Sequence, residues 1–300
     1  MPSVPQPSTL NTQLALVWVT MVWGTGWLAI KVTLNSFAPL FLAGSRYIAA
    51  AALVLLVARV AGATLPRGRG EWGTLLGTGA LMTGVCPGLV FWGQTRVPSG
   101  LASLLFAAMP LVTALMANQV LPGERLTRAR LVGILVGLAG VAVVCLSGLG
   151  SGSIGAFEVA APGALALLGG AVVFSAGLVW MKAAGYRFHP LVAVAFQSIA
   201  GAAVLLPVAL IAERDPIRAL GPGAIAMYAY LTVVQSGLTQ CVWIWLVNRV
   251  AATRIAYISC IVPAIAVAAG ALVLGEPVGW SLAVGAAAIT AGLLLVNRAG

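Results

Sequence analysis

Apolar stretches of roughly 20 residues recur along the whole chain, separated by short breaks that contain Pro or Gly. Each stretch is long enough to cross the hydrocarbon core of a bilayer as an α-helix. In lipid every backbone N–H and C=O group must be hydrogen-bonded internally, and a helix achieves this within one segment. The stretches do not alternate apolar and polar residues, as the strands of a membrane barrel do. The sequence therefore predicts an all-α polytopic membrane protein.

The composition excludes a soluble globular protein. Hydrophobic residues make up 61% of the chain and charged residues only 7%, against about 25% charged residues in soluble domains. The net charge of +10 is spread over short connections. We interpret it as a topology signal rather than as a nucleic-acid surface. The segment before the first stretch has no Lys or Arg, so it lacks the basic region of a signal peptide, and we expect the first span to be retained.

The breaks between the apolar stretches divide the chain into ten predicted transmembrane helices. These spans lie at 12–31, 39–60, 72–94, 99–118, 127–147, 161–182, 190–212, 222–247, 253–273 and 278–297. The small-residue segment 147–160 is predicted to be a linker. It would separate a first five-helix repeat, residues 1–146, from a second, residues 161–300.

The distribution of Lys and Arg predicts the orientation, because basic residues concentrate in cytoplasmic connections. With a cytoplasmic N-terminus the inner set is Arg59, Arg67, Arg69, Arg125, Arg128, Arg130, Lys182, Arg187, Arg249, Arg254 and Arg298. The outer set is Lys31, Arg96, Arg214 and Arg218. The larger inner set predicts a multi-pass protein of the cell (inner) membrane with both termini in the cytoplasm.

The two halves of the sequence match each other at offsets of 151 to 153 residues. Matching pairs are Gly26 and Gly177, Lys31 and Lys182, Gly84 and Gly237, Trp92 and Trp245, Pro110 and Pro263, and Glu124 and Glu276. Because each repeat holds an odd number of spans, the second repeat is expected to enter the membrane from the opposite side. Inverted repeats surround a central site in many secondary transporters. We therefore predict transport by alternating access; duplication without a transport role is the alternative.

The chain lacks the residues that other membrane functions require. Its two lysines, Lys31 and Lys182, are followed by Val and Ala, so no Gly-Lys-Ser/Thr loop for ATP exists. The cysteines lie in apolar runs without a C-x-x-C pair, which does not favour a metal site or a disulfide. The acidic residues lie at predicted span ends or in loops, so no buried catalytic acid is expected. We predict no enzyme activity and no cofactor; a membrane-embedded enzyme or a structural membrane partner are the alternatives.

Aromatic and amide side chains within the spans are the candidates for substrate binding. They are Trp23, Trp27, Gln94, Trp180, Tyr230, Gln240, Trp243 and Tyr257. Trp23 and Trp27 share one helix face, which could stack on an aromatic ligand or pack against another helix. The amide of Gln240 could bond either another helix or a substrate. Arg46, inside the second span, could snorkel outward or pair with a substrate carboxylate, and we favour a structural role.

Backbone weak points occur at related positions of the two halves and are predicted hinges. They are Gly84, Pro87, Pro110, Gly237 and Pro263. A proline within a helix removes a hydrogen bond and bends the chain, and broken helices near the midplane line substrate cavities in transporters. The fifth and tenth spans instead carry Gly133-x-x-x-Gly137 and Ala288-x-x-x-Gly292, a spacing that predicts close helix packing.

At these residues the chain resembles the EamA-type branch of the drug/metabolite transporter superfamily. The first span reads VWGTGWLAIK, and Pro39 followed by Arg46 marks the second. The two proline-bearing spans lead to Gly123-Glu124 and Gly275-Glu276, each followed by a glycine-rich span. We expect these glutamates to face helix starts.

The resemblance implies ten spans, inverted repeats, cytoplasmic termini and export of amino acids or related metabolites. Within the superfamily the chain looks most like the aromatic amino-acid exporters. The expected partners are a small-molecule substrate and the lipid bilayer, without nucleic acid or ATP.

Overall fold

The computed structural model describes residues 9–121, 127–150, 154–185, 188–247 and 252–298. All regular structure within these ranges is helical, apart from one antiparallel bridge between Phe37 and Ile217. Six helical stretches are long and apolar enough to cross a membrane. They are Leu10–Thr33, Pro39–Val60, Arg69–Gln94, Ser99–Val120, Ala160–Ala184 and Pro190–Ala212. The predicted all-helical membrane architecture is confirmed.

The first half contains seven helices and one π-helical segment in its described residues. The helices are α1 (Thr9–Thr33), α2 (Pro39–Val60), α3 (Arg69–Gly79), α4 (Cys86–Gln94), α5 (Ser99–Phe106), α6 (Met109–Val120) and α7 (Arg128–Gly150). The π-helical segment π1 (Ala80–Val85) joins α3 to α4 without a break.

The described residues of the second half form six helices and a second π-helical segment. The helices are α8 (Ile154–Ala184), α9 (Pro190–Ala212), α10 (Pro222–Ala229), α11 (Gln240–Val247), α12 (Ala252–Leu274) and α13 (Trp280–Arg298). The segment π2 (Tyr230–Thr239) joins α10 to α11. Each predicted span therefore has a helical counterpart in the structure.

Helix extends into the predicted linker 147–160 from both sides. The helix α7 continues to Gly150, and α8 begins at Ile154 rather than at residue 161. Pro162 lies inside α8. Membrane helices tolerate such a proline because neighbouring groups satisfy the freed backbone carbonyl.

Helices of the two halves pack against each other in equivalent pairs. The helix α1 packs against α12 and π2, and its counterpart α8 packs against α6 and π1. The helix α2 packs against π2, and its counterpart α9 packs against π1. Three further contacts join counterparts directly: α2 with α9, α5 with α12, and α7 with α13. The core is therefore built across the two halves rather than within each.

The contact between α7 and α13 depends on glycine. A Cβ atom added at Gly292 would lie 2.5 Å from the carbonyl oxygen of Gly133 and 2.5 Å from the amide nitrogen of Gly137. At Gly140 an added Cβ would lie 2.8 Å from the Cβ of Ala288. The close packing predicted from the small-residue spacing is confirmed.

Two glutamates cap helices that lie far away in the sequence. Glu213, which follows α9, accepts hydrogen bonds from the backbone N–H groups of Leu40 (2.8 Å) and Phe41 (2.9 Å) in the first turn of α2. A carboxylate at this position satisfies free N–H groups and interacts favourably with the helix dipole. The connection after α9 is thereby held against the start of α2.

Glu276 caps α5 in the same manner. Its Oε1 accepts from the N–H of Ser99 (2.7 Å), and its Oε2 accepts from the Ser99 hydroxyl (3.0 Å) and the N–H of Gly100 (3.0 Å). The expected helix-start role is therefore present at Glu276, but on a helix of the opposite half. Its counterpart Glu124 lies outside the described residues.

Candidate functional site

Arg46 lies inside the bundle and is only 5% exposed. Its Nη1 donates to Oε1 of Gln235 (3.0 Å), and its Nη2 donates to the hydroxyl of Tyr47 (3.0 Å). The guanidinium carbon lies 4.6 Å from the ring centroid of Tyr47 and 4.7 Å from that of Phe91. Both rings are within the range of cation–π attraction. The snorkelling alternative is therefore wrong, because the side chain points into the protein.

The positive charge of Arg46 has only neutral partners within the part of the chain that the structure describes. Among the described residues these partners are an amide, a phenol and two aromatic rings. The buried Nε has no hydrogen-bond partner. Ionisable groups within a membrane span are costly and usually mark a functional site. The sequence favoured a structural role for Arg46; its position within an apolar span is the signal that also marks it as a candidate site residue.

Gly26 gives the amide of Gln235 the space to reach Arg46. A Cβ atom at Gly26 would lie 2.1 Å from Nε2 of Gln235. The second half has the same arrangement, because a Cβ at Gly177 would lie 2.6 Å from Cγ of Met82. Gly26 and Gly177 are separated by 151 residues, and Met82 and Gln235 by 153. The offsets found in the sequence therefore correspond to equivalent contacts in three dimensions.

Tyr230 lies at the start of π2 and contacts α1. Its hydroxyl shares a hydrogen bond with the hydroxyl of Thr25 (2.7 Å) and donates to the carbonyl of Val22 (3.3 Å). This predicted site residue thus lies on the same α1–π2 contact as Gly26 and Gln235.

A row of aromatic rings crosses from the first half to the second. The ring centroids of Trp27 and Phe106 are 5.6 Å apart, and those of Phe106 and Phe174 are 6.1 Å apart. Gln94, which is fully buried, donates from Nε2 to the carbonyl of Trp27 (2.9 Å). Two predicted site residues, Trp27 and Gln94, are therefore brought together, with two Phe residues that the sequence analysis missed.

Trp23 and Trp243 form a separate aromatic pair. Their centroids are 4.7 Å apart with the rings tilted by 50°. They pack in an apolar cluster around Val19 and Leu246. Gln240, at the start of α11, is half-buried. The structure thus pairs the two tryptophans with each other, as helix packing requires.

Trp180 lies apart from the other candidates. It is 43% exposed, and its ring covers Gly77, where an added Cβ would lie 2.3 Å from Cη2 of the tryptophan. The ring therefore belongs to the outer surface of the bundle. The side chain of Tyr257 lies outside the described residues.

The predicted hinges coincide with irregular helix in three places. Gly84 lies in π1 and Gly237 in π2, and π-helical turns are frequent at functional sites. Pro87 lies in the first turn of α4, directly after π1, and Pro110 is the second residue of α6, which follows a break at 107–108. Pro263 differs, because α12 continues through it.

A cavity of about 730 Å³ opens at one end of the bundle. The four basic residues of the predicted outer set line it: Lys31, Arg96, Arg214 and Arg218. Lys31 donates from Nζ to the carbonyls of Gln94 (2.7 Å) and Val97 (2.8 Å) at the end of α4. Glu213 and Asp215 also line the cavity, so its charge is mixed with an excess of cations.

Comparison with known protein families gives a match over nearly the whole chain. The EamA-like transporter family matches residues 11–146 and residues 161–298. The two matches fall on the two halves related by the internal offset, so the chain contains two copies of one family unit.

Individual relatives agree with this family match. The uncharacterized transporter YvbV of Bacillus subtilis (strain 168) is 28% identical over 96% of this chain and 92% of its own length. A probable terminal-alkyne amino-acid exporter of Streptantibioticus cattleyicolor is 29% identical over 95% of this chain and 92% of its own. A solved crystal structure superposes with a TM-score of 0.69 at 22% identity, covering 95% of this chain and 97% of that one. The last comparison establishes the fold alone.

Proposed function

This chain belongs to the EamA-like transporter family, and from that premise we propose that it exports amino acids or related metabolites, with aromatic amino acids favoured. Family membership and the transporters among its relatives establish a membrane transporter. They favour transport over the enzyme and structural alternatives. The relative named as an amino-acid exporter supports the substrate class.

The proposed mechanism is alternating access by ten spans in two inverted five-helix repeats, with both termini in the cytoplasm. The observation that carries it is the pair of π-helical segments, π1 and π2, at equivalent positions of the two halves. Each segment packs against the first two helices of the other half. A π-helical turn holds an extra residue within the helix and is frequent at functional sites, so we propose these two segments as the places where each half rearranges. Such a change in one half at a time would open one face of the membrane and close the other.

The preference for aromatic substrates is supported by the row of Trp27, Phe106 and Phe174. Aromatic rings pack favourably edge to face or offset at centroid distances of 4.5–7 Å. The row contains rings from both halves of the protein. We propose Trp27, Gln94 and Tyr230 as the predicted residues that contact substrate. Trp23, Trp243 and Gln240 lie further along α1 and α11, where they would line the path.

The proposal is tested with purified protein in liposomes loaded with labelled Phe, Trp or Leu. Efflux above that of protein-free liposomes, with Phe and Trp leaving faster than Leu, is the expected result. Equal leakage with and without protein for every amino acid tested would overturn the proposed function.

A further inference from the structure

We propose that Arg46, Gln235 and Thr232 form a subsite that binds the carboxylate of the transported molecule. The inference rests on the proposed function and names the chemical group that the central site recognises. Its consequence is that this protein transports carboxylates, so that an amine or amide of the same shape is a poor substrate.

The charge of Arg46 is uncompensated within the described residues. The side chain is 5% exposed, and its hydrogen-bond and ring partners there are all neutral. A buried guanidinium without an anion loses its hydration and gains only dipole and ring interactions in return. A carboxylate arriving at this position would neutralise the charge in a medium of low dielectric constant, where ion pairing is strong.

Arg46 also has a nitrogen whose N–H group donates no hydrogen bond. Guanidinium has five N–H donors in one plane, and two of its nitrogens donate to Gln235 and Tyr47. The third nitrogen, Nε, is buried and has no partner. Nε and one Nη together form the fork that binds both oxygens of a carboxylate. A bound carboxylate would therefore satisfy the donor that the protein leaves free.

A second buried polar atom without a hydrogen-bond partner lies in π2, which packs against the helix of Arg46. Thr232 is 4% exposed and its Oγ1 has no hydrogen-bond partner. It lies in π2, three residues before Gln235, and π2 packs against α2. A threonine hydroxyl can donate to a carboxylate oxygen. An anionic ligand between α2 and π2 would thus accept hydrogen bonds from both unpartnered groups, Nε of Arg46 and Oγ1 of Thr232.

The repeat relates Thr232 and Arg46 to a second pair of residues. The offsets map Thr232 onto Gly79 of the first half and Arg46 onto Gln197 of the second half. There an added Cβ at Gly79 would lie 2.6 Å from the Cα of Gln197. We infer from this correspondence that Thr232 lies near Arg46, since π2 packs against α2 and Gln235, three residues after Thr232, accepts a hydrogen bond from Arg46.

The two halves differ at this position in charge. Gln197 is neutral, and its Nε2 donates to the hydroxyl of Thr78 (3.1 Å). Met82 replaces Gln235. The amide site of the second half is therefore internally satisfied, whereas the cationic site of the first half has free donors. Gln197 consequently serves as a matched control for Arg46.

The carboxylate subsite and the aromatic row share the helix α1. Gly26 contacts Gln235, and Trp27, the next residue of α1, contacts Phe106. We propose that an amino acid held by its carboxylate at Arg46 directs its side chain toward the aromatic row. The two sites together match a molecule with a carboxylate at one end and a ring at the other.

Ligand-induced thermal stabilisation tests the subsite without requiring transport. The purified protein would be heated with each proteinogenic amino acid and with the corresponding amide, which has the same shape but no carboxylate. We expect at least one amino acid to raise Tm while its amide needs about tenfold higher concentration or more, because a site built for hydrogen bonding rejects analogues that lack the group. Equal stabilisation by acid and amide, or none by any amino acid, would overturn the inference.

Substitutions assign the effect to the named residues. Arg46→Gln and Thr232→Val should each abolish the preference for acid over amide, and Arg46→Lys should retain part of it because the charge remains. Gln197→Ala should leave the preference unchanged.

Thr232→Val preserves the shape of the side chain, so this variant tests the subsite if the Arg46→Gln protein does not fold. Full retention of the preference in Thr232→Val, or in an Arg46→Gln variant that folds, would contradict the assignment. Loss of efflux in liposomes with intact acid-selective binding would instead contradict the proposed function.

Discussion

The guanidinium of Arg46 donates a hydrogen bond of 3.0 Å to the side-chain oxygen of Gln235, and the amide nitrogen of Gln235 lies against Gly26. The contact that the repeat relates to it joins Gly177 of the second half to Met82 of the first, and neither of these two residues is charged. The two halves therefore provide the same backbone geometry with different chemistry. This difference makes the site between them cationic on one side only.

The contrast between the two glycines gives a first prediction. Gly26→Ala places a Cβ 2.1 Å from Nε2 of Gln235, and displacing this amide breaks its bond to Arg46. Gly177→Ala meets Met82 at 2.6 Å, but a methionine side chain adapts readily. Initial efflux rates in liposomes should fall about tenfold for Gly26→Ala, the cost of one hydrogen bond to a charged group, and change little for Gly177→Ala. Equal losses at both positions would contradict the special role of Gln235.

The aromatic row gives a second prediction, on substrate selectivity. Trp27→Ala removes the ring that faces Phe106 and should weaken transport of Phe and Trp about fivefold to thirtyfold, the equivalent of about 1–2 kcal/mol. Leu transport should decrease less. Trp180→Ala is the control, because that ring is 43% exposed on the outer surface. The measurement is KM for each amino acid; a larger effect at Trp180 than at Trp27 would refute the assignment.

The cap on α5 gives a third prediction, on stability. Glu276→Ala removes the acceptor of three hydrogen bonds from Ser99 and Gly100, and loss of a helix cap costs about 0.5–2 kcal/mol. Glu71→Ala is the comparison, because Glu71 accepts hydrogen bonds from the solvent-exposed backbone N–H groups of Arg67 and Gly68 at the start of α3. Thermal unfolding in detergent should therefore show a larger fall in Tm for Glu276→Ala. Matching Tm values for the two variants would argue against a structural role of this cap.

The crossing of α7 and α13 gives a fourth prediction. Gly292→Ala forces a methyl group to within 2.5 Å of the backbone at Gly133 and Gly137, and backbone atoms cannot move aside as a side chain can. Overpacking of this kind costs about 1–3 kcal/mol. Gly279→Ala is the control, because its nearest neighbour, Oγ of Ser281, lies 3.7 Å away. Recovery of monodisperse protein after heating should fall for Gly292→Ala only.

Helix bounds could be predicted well where the residues themselves fix them. The second span was predicted at 39–60 and α2 runs Pro39–Val60, because a proline at the first turn marks a helix start. The sixth span was predicted to begin at residue 161, but α8 begins at Ile154 and continues through Pro162. Helix can extend upstream of such a proline where neighbouring groups satisfy the freed backbone carbonyl.

The site was predictable only in part, because its chemistry depends on contacts between helices. Sequence alone does not separate Gln235 from Gln240, since both amides lie in the eighth span. The contact with Gly26 and the bond to Arg46 distinguish Gln235. Phe106 and Phe174 likewise became candidates only through their distances to each other. Residue type indicates which side chains can bind a substrate, and packing decides which of them meet.

The central claim is that two inverted halves enclose the site, and the sidedness of the segment that joins them tests this most directly. Single cysteines at Ser153 and Gly300, in a variant without the four native cysteines, would be treated with a membrane-impermeant maleimide in intact cells. The account predicts that the Ser153→Cys protein is labelled in intact cells and the Gly300→Cys protein only after the membrane is opened. Labelling of both positions from the same side would mean that the halves are not inverted, and the mechanism proposed for this transporter would be wrong.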